Sequence, residues 1–363
     1  MNPGLLLFEA HPLYSLPVAF LLICCVAVLA VESLELRPWR LVAFGCLLNV
    51  VILTRSAYHL CLVIPAGALI WSAARSRRRL VFVLFILASS FSAAWYAKNY
   101  SQFGFFGSSS WLGYNLWRAT AIRFSSAEKA ALVEEGAIDS VMAEMIDCRP
   151  QLTIAAPSQF RRFGYDSTSA VSALSRNNAN NINVVAISNH YFTNSLRIIN
   201  ADRWHYLANV ADAYRLFCGS ATGFRQLAEN REKMRAHAAF FADVLEGGGL
   251  AKRIGEKMNA GSLGSFHFAL LPITLLGWLA WWSRGEPKSW TERRALVGRD
   301  AAAIAAWGLV LYTAVVSSAL EHGENARFRF EVEALCWGLM WVLAVRLWRK
   351  LHNTGAETIP QSL

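Results

Sequence analysis

Two arginine-containing motifs are the parts of this sequence best suited to chemistry on a phosphate group. In the first, Arg327 and Arg329 alternate with phenylalanines and follow the acidic Glu324. In the second, Arg55 and His59 lie in a short polar break within a long apolar stretch. A guanidinium group presents a planar fork of N–H donors that matches phosphate oxygens. We therefore predict phosphate binding by both arginine motifs and His59. The alternatives are a charged loop that contacts lipid headgroups and, for Arg55, the cap of a short helix.

The elements that must position these residues are apolar helices. Of the 363 residues, 55% are apolar and 17% are charged, and the mean hydropathy is +0.31. This composition excludes a disordered chain, a collagen-like fibre and a disulfide-rich mini-protein, and it argues against an ordinary soluble enzyme. A membrane-spanning helix needs about 20 apolar residues. The stretches that approach this length are 15–31, 41–74, 80–97, 266–282, 301–320 and 334–345.

The stretch 41–74 is too long to be a single span. As one helix it would measure about 51 Å at a rise of 1.5 Å per residue, whereas the hydrocarbon core of a bilayer is about 30 Å thick. We therefore predict a hairpin of two shorter spans, with Arg55 and His59 near its tip. The fold class predicted is all-α, a polytopic transmembrane helix bundle of about seven spans.

The distribution of Lys and Arg predicts the orientation of this bundle, since both residues are enriched in short cytoplasmic loops. The short loops of the opposite side hold only Arg55, Arg327 and Arg329. The chain then divides into an N-terminal membrane bundle (1–97), an extracytoplasmic segment (98–264) and a C-terminal bundle with a cytoplasmic tail (265–363). The basic residues assigned to the cytoplasmic side are Arg37, Arg40, Arg75, Arg77, Arg78, Arg79, Arg284, Lys288, Arg293, Arg294, Arg299, Arg346, Arg349 and Lys350.

Local signals predict that the extracytoplasmic segment is mainly helical. Ser125 and Glu128 have the spacing of a capping box, and apolar residues recur at helical spacing after Asp202. The predicted helices are 125–145, 202–217 and 226–245, the last of them ending at three consecutive glycines. Strand-like alternation is confined to 182–187.

The cysteines predict no metal site, because the sequence has no CxxC pair and no Cys/His zinc spacing. Cys148 and Cys218 lie in the extracytoplasmic segment and are candidates for a disulfide bond if that side is oxidising. The alternative is two unpaired buried thiols. The other cysteines lie in apolar stretches and act there as small apolar residues: Cys24, Cys25, Cys46, Cys61 and Cys336.

Five short motifs follow one another along nearly the whole chain. They are Asn2-Pro3 with Phe8-Glu9, Leu53-Thr54-Arg55-Ser56 with His59, Trp95 through Asn99, Ser109-Ser110-Trp111-Leu112-Gly113, and Glu324 through Phe330. In this order they resemble the later portion of bacterial polytopic glycosyltransferases of the GT-C superfamily, related to the protein mannosyltransferases and the lipid A aminoarabinose transferases.

The resemblance implies an inverting transfer of a sugar from a polyprenyl-phosphate carrier outside the membrane. The sequence itself implies no divalent metal, and no cofactor is predicted. Arg327 and Arg329 match the region where the relatives hold the carrier phosphate. The catalytic base of the superfamily is an Asp in a first outer loop that has no counterpart in this sequence, so the catalytic residue is not carried over. Glu9 is the candidate that remains. The sequence also departs from the pattern where Glu331 and Glu333 follow the second arginine. These carboxylates would weaken a phosphate site unless they point away and cap the last span.

The start of the chain bears on whether it is an active enzyme. Residues 1–14 are predicted to lie outside and contain no basic residue, so we expect a chain cut from a longer protein. Direct insertion of a short uncharged tail is the alternative.

Two function classes therefore remain open. One is a multi-pass glycosyltransferase of the bacterial inner membrane, with the bilayer and a polyprenyl-phosphate sugar lipid as its partners. The other is a non-catalytic polytopic protein of an envelope-polysaccharide assembly system. Nucleic-acid binding is disfavoured because the basic residues are spread over several loops.

A topology reporter tests this arrangement most directly. A reporter fused near Asn200 should lie on the extracytoplasmic side, and the same reporter at the C-terminus on the cytoplasmic side, because of the bias in basic residues. The measurement is the activity of reporters that work on only one side of the membrane. A cytoplasmic signal from the fusion near Asn200 would reverse the sidedness of every site residue above.

Overall fold

The computed structural model of the chain describes residues 15–30, 37–74, 77–121, 123–139, 182–223, 227–257, 265, 267–283, 297 and 300–353. Every regular element in these residues is a helix, which confirms the all-α class for this part of the chain. The helices of the first half are α1 (Ser15–Ala27), α2 (Pro38–Thr54), α3 (Val63–Ala73), α4 (Arg78–Phe103), α5 (Leu112–Ala121) and α6 (Ser126–Glu134). Those of the second half are α7 (Ile182–Ala201), α8 (Arg203–Phe217), α9 (Ala228–Lys233), α10 (Arg235–Phe240), α11 (Gly248–Lys257), α12 (His267–Ser283), α13 (Ala301–Leu320) and α14 (Asn325–Asn353).

Two of these helices are long and apolar enough to cross a membrane. They are Arg78–Ser101 within α4 and Ala301–Leu320, which is α13. The other apolar helices have 10–17 residues: Ser15–Ala27, Pro38–Thr54, Leu60–Ala73 and Ala269–Ser283. The larger count of seven spans stays a prediction.

The predicted break within 41–74 occurs at Arg55. Pro38 begins α2, where a missing N–H costs no hydrogen bond. At Arg55 the backbone becomes extended (φ −135°, ψ 122°), and the chain makes a short 3₁₀ turn before α3. Both arms pack on α4. There Gly45 and Gly67 each leave space for the ring of Phe85, so α4 joins the two arms.

Three local predictions need correction. The capping box at Ser125 and Glu128 is present and starts α6, but α6 ends at Glu134 and not at residue 145. Gly136 follows in the left-handed conformation, which glycine adopts without a steric penalty.

The stretch 182–187 is helical and begins α7, so the prediction of strand-like structure there was wrong. Residues beyond position 139 and up to 181 lie outside the described part.

The predicted helix 226–245 is interrupted. The helix breaks at Met234 (φ −118°) between α9 and α10, and a wide π turn follows at Phe241–Leu245. Gly247 is left-handed (φ 67°), as expected at the end of a helix. The next two glycines, however, begin α11. The glycine run therefore changes the direction of a helical segment that continues to Lys257.

Helix α14 is the central helix of the fold. It packs against α1, α8, α12 and α13, which come from both apolar ends of the chain and from the segment between them. Its buried apolar residues Val332, Leu335 and Cys336 lie in one continuous core with Phe217 of α8 and Leu22 of α1. The position of its first turns is therefore fixed from several sides.

A glycine substitution tests the packing of α5 against α7. At Gly113 of α5 an added methyl group would lie 1.7 Å from the carbonyl oxygen of Ser188 in α7, so Gly113→Ala should destabilise the protein by about 2 kcal/mol or more because two backbones must separate. Gly308→Ala is the matched control, since no atom lies within 4 Å of the added methyl and alanine favours a helix by about 1 kcal/mol. The midpoint of thermal unfolding in detergent should fall for the first variant only; equal midpoints would contradict this packing.

Candidate functional site

The first turns of α14 carry four charged side chains at alternate positions. They are Arg327, Arg329, Glu331 and Glu333, and all four are buried. Successive residues of a helix are about 100° apart, so positions 327 and 331 share one face and positions 329 and 333 share the opposite face. The two arginines that the sequence groups into one motif therefore point in different directions.

Arg329 lies at the centre of one buried cluster. It is ion-paired with Glu246, from the loop before α11, and lies 3.8 Å from Glu333 on its own helix. Its Nη1 is 2.8 Å from Nδ1 of His267. A guanidinium can only donate, so His267 accepts through Nδ1. Ser265 accepts from the backbone N–H of His267 (3.2 Å) and donates to the carbonyl oxygen of Cys218 (2.6 Å), so it links this cluster to the end of α8.

Arg55, which follows α2, lies in a second buried cluster. This cluster contacts the opposite face of α14. The Nη1 of Arg55 is 3.0 Å from Oε1 of Glu331, and its guanidinium carbon lies 4.2 Å from the ring centre of Phe328. The hydroxyl of Tyr58 donates to the other oxygen of Glu331 at 3.3 Å. Glu331 and Glu333 thus face the arginines and do not point away from them.

The predicted phosphate-binding residues do not meet at one point. Arg327 pairs with Glu324 at 2.9 Å, while Arg55 and Arg329 pair with Glu331 and Glu246. His59 accepts from the backbone N–H of Cys61 (3.4 Å), and its ring lies edge-on to that of Tyr96.

The other predicted site residues lie partly outside the described part of the chain. Glu9 and Cys148 are there, so no position is assigned to either. Cys218 is a buried thiol close to Tyr214 of α8. The disulfide between Cys148 and Cys218 stays a prediction.

A cavity of about 670 Å³ lies between α8, the α9–α10 segment and the start of α14, and sequence reasoning missed it. Three arginines, Arg215, Arg231 and Arg235, line it together with two acids, Asp212 and Glu232. Small and apolar residues complete the wall: Leu216, Gly219, Ser220, Thr222, Ala238, Ala239, Ala242, Gly323 and Ala326. The available signal was the spacing of Arg231 and Arg235, four residues apart in a predicted helix.

Asp212 joins the cavity to the loop between α13 and α14. Its Oδ2 accepts from Arg123 (2.8 Å) and lies 3.2 Å from Nε2 of His322, and its Oδ1 is 3.6 Å from Arg215. Burial alone would raise the pKa of Asp212, but the hydrogen bonds from Arg123 and His322 outweigh it and the pKa lies below its ordinary value. Burial lowers the pKa of His322 despite the nearby carboxylate, so Nε2 of the neutral ring donates to Asp212.

The loop itself is held by its own side chains. Asn325 donates to the carbonyl oxygens of Ser317 (2.8 Å) and Glu321 (3.2 Å) and accepts from the backbone N–H of Gly323 (3.0 Å). Glu321 pairs with Arg118 of α5 at 3.1 Å. These bonds fix the loop, which places Gly323 in the cavity wall and His322 against Asp212.

In comparisons with known proteins, no protein family, no curated protein and no solved structure matches the chain. Among the residues that the structure describes, no three His, Cys, Asp or Glu side chains are placed to hold a metal ion.

The buried carboxyl of Glu321 predicts a pH dependence of stability. Burial raises its pKa from 4.5 to about 7, so the folded protein holds the proton more tightly than the unfolded chain. Stability from this group is present below about pH 4.5 and is lost as the pH rises to about 7, by at most about 3 kcal/mol.

Thermal unfolding at pH 5 and pH 8 measures this effect. The unfolding midpoint should fall more between these values in the wild-type protein than in Glu321→Gln. Glu229→Gln, the same change at an exposed acid of α9, should retain the wild-type fall. An identical fall in all three proteins would rule out Glu321 as its source.

Proposed function

We propose that the chain is a multi-pass protein of the bacterial inner membrane with about seven spans and an extracytoplasmic segment at 98–264. The surface of α4 supports membrane insertion. Only 28% of its most apolar window is buried within the protein, and large apolar side chains such as Ile86, Leu87 and Phe91 are exposed. An apolar surface of this extent is unfavourable in water and suited to lipid acyl chains.

Within this membrane protein we propose a glycosyltransferase that takes a sugar from a polyprenyl-phosphate carrier. The observation that carries the proposal is the convergence of Arg215, Arg231 and Arg235 on one cavity of about 670 Å³. Three guanidinium groups against two carboxylates leave an excess of positive charge, and phosphate oxygens are their best-matched partners. The cavity is large enough for a phosphate together with a sugar.

The position of the cavity suits a lipid-borne phosphate. Gly323 and Ala326 line it, and they lie directly after α13, one of the two helices long enough to cross a membrane. The arginines therefore lie near the level where the headgroups of a bilayer begin. Leu216 and the alanines of α10 form an apolar wall beside them, which can contact the first isoprene units of a carrier.

The Asp212–His322 pair is our candidate for the proton transfer. A hydroxyl acceptor must lose its proton as the new glycosidic bond forms, and a side chain that takes up this proton assists the reaction. Asp212 lines the cavity, so its carboxylate is the group that takes up the proton, and His322, which donates to the same carboxylate, holds it in place. The sequence alone suggests no catalytic residue besides Glu9.

A non-catalytic role in an envelope-polysaccharide assembly system is the second candidate function, and one observation favours it. Glu331 and Glu246 neutralise Arg55 and Arg329, two of the arginines that the sequence predicts to bind phosphate. In this case the cavity would bind a phosphate lipid without transferring its sugar.

Substitution of the cavity arginines tests the proposed site. In nanodiscs, Arg231→Gln with Arg235→Gln should weaken binding of a polyprenyl phosphate at least about 10-fold, since each charge-assisted hydrogen bond contributes about 1.5–3 kcal/mol. The control is Arg197→Gln with Arg203→Gln, which removes the same charge from α7 and α8 outside the cavity lining. The measurement is the dissociation constant from titration calorimetry.

The outcomes separate the two functions. Equal affinity in wild type and both variants contradicts a phosphate site at the cavity. Binding by the wild type that depends on the arginines, without sugar release from any polyprenyl-phosphate sugar, favours the non-catalytic candidate. Sugar transfer that is lost in Asp212→Asn while binding remains supports the glycosyltransferase.

A further inference from the structure

Residues 240–257, which we term the interfacial segment, expose a row of large apolar side chains. They include the π turn after α10, the glycine turn and α11. The exposed side chains are Phe240, Val244, Leu245, Leu250 and Ile254, and they lie outside the two helices long enough to span a membrane. They are at least 41% exposed, so the fold itself does not cover them.

The helix α11 is divided into faces of different chemistry. Ala251 and Gly255 are buried against the rest of the protein. Leu250 and Ile254, four residues apart, form an apolar stripe beside that buried face. Arg253 and Lys257, also exposed and four residues apart, border the stripe on the side away from the protein. An apolar stripe bordered by basic residues is typical of a helix that lies in a membrane surface.

A buried ion pair fixes the depth of the interfacial segment. Glu246, at its centre, is completely buried and ion-paired with Arg329. Arg329 lies four residues into α14, which is about 6 Å along the helix axis at 1.5 Å per residue. The preceding helix α13 ends at Leu320, just before α14 begins. Glu246 is therefore held about one helical turn below the end of a candidate span.

This depth agrees with the chemistry of the segment. Interfacial helices place their apolar face about 5–10 Å into the boundary between headgroups and acyl chains. Gly247 turns the chain in the left-handed conformation (φ 67°), so the π turn and α11 both extend from the anchored Glu246. The anchor keeps this segment at the boundary.

We propose that the interfacial segment docks on the membrane surface and binds anionic phospholipid headgroups. Its apolar stripe enters the upper acyl region, and its basic side chains contact the phosphates. Arg253 and Lys257 are the basic residues beside the stripe, whereas Lys252 and the exposed acid Glu256, four residues apart, lie on another face of α11. The positive charge beside the stripe favours anionic over zwitterionic lipid. Asp243, the exposed acid of the π turn, lies on the other side of Glu246 from this cluster.

The proposal rests on the membrane insertion proposed above, and it does not depend on sugar transfer. A protein partner on the same surface is the competing occupant. The experiment therefore has to identify what touches Leu250.

Photo-crosslinking in nanodiscs tests the proposal on the full chain. p-Benzoylphenylalanine replaces Leu250 in one variant and Lys252 in another, and the discs contain phosphatidylglycerol with a clickable acyl chain. The probe at position 250 should give at least five-fold more lipid adduct than the probe at 252, because the two positions lie on different faces of α11. The same probe at Phe91 of α4 reports on membrane insertion itself.

The outcomes distinguish this proposal from the proposed function. Equal adducts at 250 and 252, or adducts to protein at 250, overturn the docking surface while leaving the cavity and its phosphate binding unaffected. Absence of adduct at Phe91 as well overturns the membrane insertion and this proposal with it. A preference for position 250 supports the docking.

The basic residues are tested in the same assay. Arg253→Gln with Lys257→Gln should lower the adduct at position 250 several-fold in phosphatidylglycerol discs and leave it nearly unchanged in phosphatidylcholine discs, where there is no net charge to attract. The charge-matched control is Arg197→Gln with Arg203→Gln. An equal loss in both lipids, or in the control, contradicts binding of anionic headgroups.

Discussion

The buried charges at the start of α14 are the constraint on which the rest of the structure depends. A charged side chain without a partner in the protein interior is very unfavourable, and removing one member of a buried ion pair costs about 3–5 kcal/mol. Arg329 and Glu331 lie on opposite faces of one helix and are both buried. Each therefore needs a partner from another element: Glu246 before α11 and Arg55 after α2. These pairs hold two distant parts of the chain at the same level of α14.

The cavity owes its shape to the same anchoring. Its wall includes Gly323 and Ala326, which precede the buried charges directly, and residues of α8 and α10. Asp212 of α8 is bonded to His322 of the loop, which links the loop and α8 directly. The arginines of α9 and α10 then face a fixed surface. Two of the cavity arginines are themselves paired, Arg215 with Asp212 (3.6 Å) and Arg235 with Glu232 (3.4 Å). Three guanidinium groups against two carboxylates therefore leave one net positive charge at the cavity.

The contrast between the two sets of arginines explains how a motif can mislead. Arg327 and Arg329 look like one phosphate-binding pair because they are close in sequence. On the helix, however, they point in different directions, and each forms an ion pair with its own carboxylate. The cavity arginines are scattered over α8, α9 and α10 and form no motif. Their convergence comes from the breaks at Met234 and the packing of α8 against α13 and α14.

The sequence by itself determined the helical class, the break at Arg55, the capping box at Ser125 and the helix that follows Asp202, because apolar periodicity and capping are local properties of the chain. The tertiary structure decided the partners of the buried charges and the location of the cavity. Glu246 and Arg329 are 83 residues apart, and no local pattern relates them. A buried pair of this kind forms when the packing helices remove water from both groups, so its partners follow from the tertiary structure and not from a local pattern.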